Sequence, residues 1–163
     1  MGSTVIIGLG NPVLADDSVG LRIAADLRRR LAGRNDFTTL ELYSGGIWLM
    51  EAMAGHERAI VIDAIVSGGV AGAVYRLGLE DLPRTRTSDS THDASLPVAL
   101  ELGHAAGLKL PRDVQIWAVE AADVETFSER MTPEVERAVS RVVEQVLRDL
   151  DGTGLAPSPR MNQ

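Results

Sequence analysis

The chain has 163 residues, with 23 Asp and Glu against 16 Lys and Arg, a formal net charge of −7 and a pI near 4.9. This length predicts a single domain, and the acidic balance argues against a protein that binds nucleic acid or anionic membranes. The chain has no cysteine, which excludes disulfides, zinc–thiolate sites, iron–sulfur clusters and a cysteine nucleophile.

The N-terminal segment MGSTVIIGLGNP has no basic region, and its apolar run is only a few residues long. It therefore predicts neither a signal peptide nor a membrane span. We expect a protein of the cytoplasm.

In the first half of the chain, strands and helices alternate. The segment Thr4–Leu9 is a short apolar run closed by glycine, which is typical of a buried strand. Apolar residues then recur every four positions from Ser18 to about Leu31, which predicts a helix that Gly33 ends. The alternating segment Phe37–Tyr43 predicts a second strand, and a Ser-Gly-Gly turn separates it from a short helix over Ile47–Met53.

In the second half, a continuous apolar run predicts a strand over Arg58–Val66, and alternation predicts an edge strand over Val74–Leu79. A polar loop over Asp81–Asp93 precedes a helix over Ala94–Gly107 and a last strand over Val114–Val119. The final predicted helix spans Thr132–Leu150, with Thr132 as N-cap and Pro133 as its first residue.

This alternation predicts an α/β protein, a three-layer α/β/α sandwich with a five-stranded, mainly parallel sheet. Residues 1–150 form the domain, and we expect residues 151–163 to be a flexible tail.

Ligands of open α/β sheets bind beyond the carboxyl ends of the parallel strands. Asp63 lies inside the apolar segment AIVIDAIV, where a carboxylate is costly to bury without a partner. It either accepts hydrogen bonds from nearby loop amides or belongs to a functional site. Asp16 and Asp17 stand before the first helix, and since two adjacent acids cannot both cap it, we expect one to cap it and the other to keep a free carboxylate.

The chain offers three candidates for imidazole chemistry, His56, His92 and His104. His56 fits a turn before a strand, and His104 fits the solvated face of a helix. His92 lies in the polar loop STHDAS, where a surface histidine is the ordinary interpretation. Two carboxylates and one imidazole would nevertheless make a site for a borderline divalent ion such as zinc or nickel.

The segment Gly8-Leu-Gly10 after the first strand resembles the beginning of a dinucleotide fingerprint. The fingerprint then requires a third glycine where this chain has Val13, and the acidic turn would repel a pyrophosphate. We therefore expect no nucleotide, and we expect these glycines to allow close approach of the backbone.

Read together, these motifs are similar to those of the hydrogenase maturation proteases, the endopeptidases that trim the large subunit of [NiFe] hydrogenases. The first motif is G-x-G-N-x-x-x-x-D-D-x-x-G, which here includes Gly10, Asn11, Asp16 and Asp17. Gly45-Gly46, IVIDAIVSGG and STHDASLPVAL follow in the same order, as does the late segment AVEAADVETFSERMTPEVERAV. The resemblance covers the chain to about Leu150.

The resemblance implies a mixed sheet of the phosphorylase/hydrolase-like kind, with Val74–Leu79 as the antiparallel strand. It implies that Asp17, Asp63 and His92 are the catalytic and metal-binding residues, and that Asp16 is a helix cap behind them. Many members have an acid immediately before the paired glycines, where this chain has Ser44. If that acid is needed, Glu120 after the last strand is the alternative.

The activity implied is removal of a C-terminal peptide from the nickel-loaded large-subunit precursor, just after its Cys-x-x-Cys-x-x-His/Arg motif. The nickel belongs to the substrate, and the protease would complete its coordination with oxygen and nitrogen ligands that hold it loosely. We expect a monomer that binds no nucleic acid and no membrane.

Two other functions are compatible with parts of the sequence. One is a nickel-dependent hydrogenase-binding or chaperone module without proteolysis, which Ser44 keeps open. The other is a peptidyl-tRNA hydrolase, whose first strand also ends in a similar Gly-Asn-Pro turn. Against the second stand Val13, the absence of a histidine before His56 and the charge of −7.

Overall fold

The computed structural model describes residues 2–82 and 96–152. His92, most of the predicted loop Asp81–Asp93 and the tail from residue 153 lie outside these residues, as do the first two residues of the predicted third helix. The strands are β1 (Thr4–Leu9), β2 (Phe37–Leu42), β3 (Arg58–Ile65), β4 (Val74–Gly78) and β5 (Asp113–Glu120). The helices are α1 (Val19–Arg30), α2 (Ile47–Met53), α3 (Leu96–Ala105) and α4 (Pro133–Leu150).

The five strands form one mixed sheet in the order β2-β1-β3-β5-β4. The first four strands in this order are mutually parallel, and β4 pairs antiparallel with β5 at the edge. The α/β fold with a five-stranded, mainly parallel sheet is therefore confirmed, and β4 is the antiparallel strand that the resemblance implied.

The two faces of the sheet carry separate cores, because successive side chains of a strand point to opposite faces. Val5, Ile7 and Leu9 of β1 pack with residues of α2 and α3, whereas Ile6 packs with residues of α1 and α4. The three layers expected from the alternation of strands and helices follow from this division.

Two short 3-10 turns were not predicted, over Ala15–Ser18 and Leu79–Asp81. Turns of three or four residues leave no periodic pattern of apolar residues in the sequence. The first turn matters for function because it contains Asp16 and Asp17.

The start of α4 agrees with the sequence. Thr132 is the N-cap, with an extended backbone, and Pro133 follows it as the first helical residue. The Thr132 side chain makes no capping bond to the helix, because it is engaged by a carboxylate described below. Within residues 2–82 and 96–152, no helix is both long and apolar enough to cross a bilayer.

Candidate active site

Asp63 lies in β3 at the level where the neighbouring strand β1 ends, since its predecessor Ile62 pairs with Gly8. Only 2% of its surface is exposed, and the backbone N–H of Ala64 donates to its Oδ1 at 2.8 Å. It projects from the same face of the sheet as Val61, because the two are separated by two positions. The buried carboxylate thus stands where the parallel strands end, the usual place for ligands in such sheets.

Asp17 lies in the 3-10 turn that follows β1. Its Oδ2 accepts a hydrogen bond of 3.0 Å from the backbone N–H of Asn11, and the Asn11 side chain in turn accepts from the N–H of Val13 at 3.1 Å. The loop therefore folds back so that the Asp17 carboxylate is held beside Asn11, which lies two residues beyond the end of β1. The structure places Asp17 and Asp63 at the ends of adjacent strands, at the same edge of the sheet.

The glycines of the first motif allow this close packing. A Cβ atom on Gly10 would overlap the carbonyl oxygen of Asp17, and one on Gly8 would overlap the carbonyl of Gly20. Gly20 itself leaves no room for a side chain against the carbonyl oxygens of Leu9 and Ile62. These glycines bring α1 and its preceding turn directly onto β1 and β3, as their interpretation as close-approach glycines predicts.

Asp16 has a different role from the one expected. It is fully buried, and its carboxylate accepts hydrogen bonds from the backbone N–H groups of Ala122, Asp123 and Thr132 at 2.7–2.9 Å, and from the Thr132 hydroxyl at 2.9 Å. The expectation that Asp16 caps the first helix is wrong, since Ser18 is the N-cap of α1 and no side chain caps it. Asp16 instead holds the loop after β5 and the start of α4.

Glu120, at the end of β5, is also buried, with 1% of its surface exposed. Its Oε1 accepts hydrogen bonds from the backbone N–H groups of Ser67 and Gly69, both at 2.9 Å, and its Oε2 accepts from the Ser67 hydroxyl at 2.7 Å. The carboxylate that we considered as an alternative catalytic acid therefore fixes the β3–β4 loop.

The loop from β2 to α2 contains Ser44, Gly45 and Gly46. Ser44 is exposed, and Gly46 has φ +61°, a left-handed conformation that favours glycine. Gly46 is also the N-cap of α2, and its carbonyl accepts from the N–H of Met50 at 3.0 Å. A turn requirement thus accounts for Gly46, while Ser44 leaves its position without a carboxylate.

The histidines were predicted to have three different roles. His104 is exposed on α3, as expected. His56 lies in the turn before β3, and its Nδ1 is buried without a hydrogen-bond partner. His92 lies outside the described residues, and within residues 2–82 and 96–152 no three His, Asp or Glu side chains form a group that could hold a metal ion. The trio of Asp17, Asp63 and His92 therefore stays a prediction.

No pattern in the sequence predicts the partners that hold these acids, Thr132 for Asp16 and Ser67 for Glu120. Both pairs join segments far apart in the chain. The positions of the aromatic residues in the sequence are a signal for further functional residues. Three of the six, Tyr43, Trp48 and Phe127, lie in or next to loops that contain Gly or Ser. All three are more than 60% exposed around this edge of the sheet.

The fold resembles that of solved hydrogenase-processing peptidases. The structure of the hydrogenase maturating endopeptidase HybD from Escherichia coli superimposes with a TM-score of 0.78 and 27% identity, over 99% of both chains. HycI from Thermococcus kodakarensis shares the fold, with a TM-score of 0.68 and 18% identity over 91% of this chain and 92% of that one.

The sequence comparisons agree. The hydrogenase 2 maturation protease of Escherichia coli K12 is 30% identical over 96% of this chain and 95% of its own length. HupD of Bradyrhizobium diazoefficiens, a hydrogenase expression/formation protein, is 23% identical over 96% of this chain and 82% of its own. The HycI family model, hydrogenase maturation protease, matches residues 21–149. The chain belongs to the hydrogenase maturation protease family and is a peptidase.

Family membership separates the alternatives left by the sequence. It contradicts the assignment to the peptidyl-tRNA hydrolases, and it disfavours a module without proteolysis because the relatives are peptidases. The substrate class it implies is the precursor of a hydrogenase large subunit.

Proposed function

We propose that this protein is an endopeptidase that removes the C-terminal peptide from the nickel-loaded large-subunit precursor of a [NiFe] hydrogenase. The observation that carries the proposal is the placement of two carboxylates at the ends of adjacent parallel strands, Asp17 after β1 and Asp63 in β3. With His92 they would supply two oxygen ligands and one nitrogen ligand to a metal that arrives with the substrate.

The chemistry of these ligands suits a substrate metal better than a permanent one. Carboxylate and imidazole groups bind divalent first-row metals without the strong preference that thiolates bring. The chain has no cysteine, so the thiolates around the nickel would come from the precursor's own Cys-x-x-Cys-x-x-His/Arg motif. The enzyme would use the nickel to recognise the precursor and to place the bond just beyond that motif.

The buried carboxylates make the site rigid. Asp16 holds the loop after β5, and Glu120 holds the β3–β4 loop, at the same end of the sheet as Asp17 and Asp63, which supports a site formed before the substrate arrives. Such preorganisation lowers the cost of placing a scissile bond. A water molecule activated by the nickel, or by one of the carboxylates as general base, would then attack the carbonyl carbon.

Single substitutions test this proposal on the nickel-loaded precursor from the same organism. Asp17→Asn, Asp63→Asn and His92→Ala should each leave the precursor uncut over a time in which the wild type cuts it completely. Asp36 is half-buried before β2 and His104 is exposed on α3, so both lie away from the carboxyl ends of the parallel strands. Asp36→Asn and His104→Ala are therefore matched controls that should cut at the wild-type rate.

Mass spectrometry of the precursor gives the readout, because cleavage removes a peptide of defined mass. Circular dichroism must show that each variant is folded. Normal cleavage by all three site variants would contradict the proposal, and tight binding by the wild type without loss of mass would indicate a module that does not cleave.

A further inference from the structure

Large apolar side chains are exposed around the candidate active site. The aromatic residues Tyr43, Trp48 and Phe127 are 62%, 67% and 83% exposed. Val13, Val66 and Val70 are 47%, 67% and 80% exposed on the loops between them. We call these six residues the apolar rim. Contiguous exposed apolar surface is uncommon on a protein without a partner and marks interaction sites.

All six residues follow the carboxyl ends of parallel strands. Tyr43 and Trp48 come after β2, Val13 after β1, Val66 and Val70 after β3, and Phe127 after β5. These four strands are neighbours in the sheet, so three spacings of ~4.8 Å give the rim a width of about 14 Å. Asp63 lies in β3 and Asp17 follows β1, and these are the two central strands of the four, so rim residues lie on both sides of the two acids along the sheet.

Hydrogen bonds between two loops hold one side of the rim in place. Leu14 and Phe127 form an antiparallel bridge, which the Ala15 N–H extends by donating to the Thr126 carbonyl at 3.1 Å. The Ser128 N–H donates to the carbonyl of Val13 at 2.9 Å. The two loops that carry Val13 and Phe127 are thus joined in a short two-stranded arrangement.

The β3–β4 loop is anchored by hydrogen bonds to a buried carboxylate. Glu120 accepts hydrogen bonds from both Ser67 and Gly69, which lie between Val66 and Val70. The two valines are exposed although their loop is anchored to a buried carboxylate. A surface that is fixed before binding loses less conformational entropy when a partner covers it.

The loops around the rim are acidic. Residues 10–18, 43–46, 66–73 and 121–132 carry five Asp and Glu, of which only Asp16 is fully buried, against a single Arg. Asp123 is half-buried, and hydrogen bonds from Thr126 and from the N–H of Glu125 lower its pKa, so it stays ionised in neutral solution. This charge repels nucleic acid, anionic lipid and a second copy of the same acidic edge, and it attracts basic side chains.

We propose that the apolar rim docks a segment of the substrate polypeptide that combines large apolar side chains with lysine or arginine. This inference rests on the proposed proteolytic function and identifies how the precursor is recognised beyond its nickel. The apolar side chains would cover Trp48 and Phe127, while the basic residues would face Asp123, Glu125 and Glu129. Central aromatic side chains commonly carry most of the binding energy of such interfaces.

Rim variants test this surface with the purified nickel-loaded precursor from the same genome as the probe. Trp48→Ser and Phe127→Ser should each raise KM about tenfold, the effect of losing a binding hot spot, while kcat at saturation stays within about twofold. Leu102→Ser is the matched control, because Leu102 is 59% exposed on α3 rather than on the rim, and its KM should not change. Glu125→Lys with Glu129→Lys should also raise KM and weaken the dependence of KM on salt.

Direct binding separates failure of this inference from failure of the proposed function. Biolayer interferometry with immobilised precursor should show that the two rim variants bind about tenfold more weakly than the wild type, whether or not cleavage occurs. Unchanged KM and unchanged binding in both rim variants would overturn the docking surface, even if Asp63→Asn abolished cleavage. Sedimentation that finds a wild-type dimer converted to a monomer by Trp48→Ser would also overturn it, because a second copy would then cover the rim.

Discussion

Replacing Asp16 should damage the fold, and replacing its neighbour Asp17 should damage the reaction. Asp16 is fully buried and accepts bonds from three backbone N–H groups and the Thr132 hydroxyl. Asp16→Ala leaves all four donors without their acceptor. Asp17 is half-buried, and its Oδ2 accepts a hydrogen bond of 3.0 Å from the N–H of Asn11.

The expected sizes follow from these contacts. Each unsatisfied buried donor costs about 1–3 kcal/mol. Because water that enters the space restores some of the bonds, we expect Asp16→Ala to lower the free energy of unfolding by about 3–5 kcal/mol rather than by the full sum. At ~2–4 °C per kcal/mol for a domain of this size, Tm falls by about 6–20 °C. Asp17→Ala should cost only about 1–2 kcal/mol.

Urea and thermal unfolding followed by circular dichroism measure both effects, and cleavage of the nickel-loaded precursor below Tm measures activity. Asp16→Ala should unfold at a lower urea concentration and a lower temperature than the wild type, yet retain part of its activity below its Tm. Asp17→Ala should stay folded and be inactive. The reasoning is refuted if Asp16→Ala is as stable as the wild type, or if Asp17→Ala is the less stable of the two.

Three further predictions concern other contacts of the site. Glu120→Gln should speed amide exchange at Ser67 and Gly69 and cost about 1–3 kcal/mol of stability, since the charged acceptor of their hydrogen bonds is lost; unchanged exchange by mass spectrometry would contradict this. Gly20→Ala should destabilise the domain by about 1–3 kcal/mol, because the added methyl group overlaps the backbone carbonyls of Leu9 and Ile62. A variant with the same Tm as the wild type would contradict this close packing. The lowered pKa of Asp123 means that its ionised form stabilises the folded state above the unfolded pKa, and that this stabilisation is lost as the pH falls through the folded pKa. The stability difference between wild type and Asp123→Asn should therefore be present at neutral pH and shrink below about pH 4. A difference that grows as the pH falls would contradict the stabilising role of the ionised carboxylate.

The fold could be predicted because its signals are local. Apolar runs in TVIIGL and AIVIDAIV, and the four-residue period of α1, determine element types with boundaries within one or two residues. The edge position of β4 followed from its alternating pattern. Its antiparallel direction came from the family resemblance rather than from the pattern, because period-two alternation carries no information on strand direction.

The candidate site was predictable in position but not in detail. The sequence shows acids near strand ends, and the topology then places Asp17 and Asp63 on neighbouring strands. It does not show that Asp16 bonds to Thr132, 116 positions away, because long-range partners of a carboxylate leave no local pattern. The roles of Asp16 and Glu120 as loop anchors therefore emerged only from the structure.

The most direct test compares two forms of one substrate, the large-subunit precursor with and without nickel, incubated with the wild-type protein. We predict that the nickel-loaded form loses the mass of its C-terminal peptide and that the nickel-free form keeps its full mass. Equal cleavage of both forms would contradict recognition through the nickel, and no cleavage of either form would contradict the proposed proteolysis of this precursor.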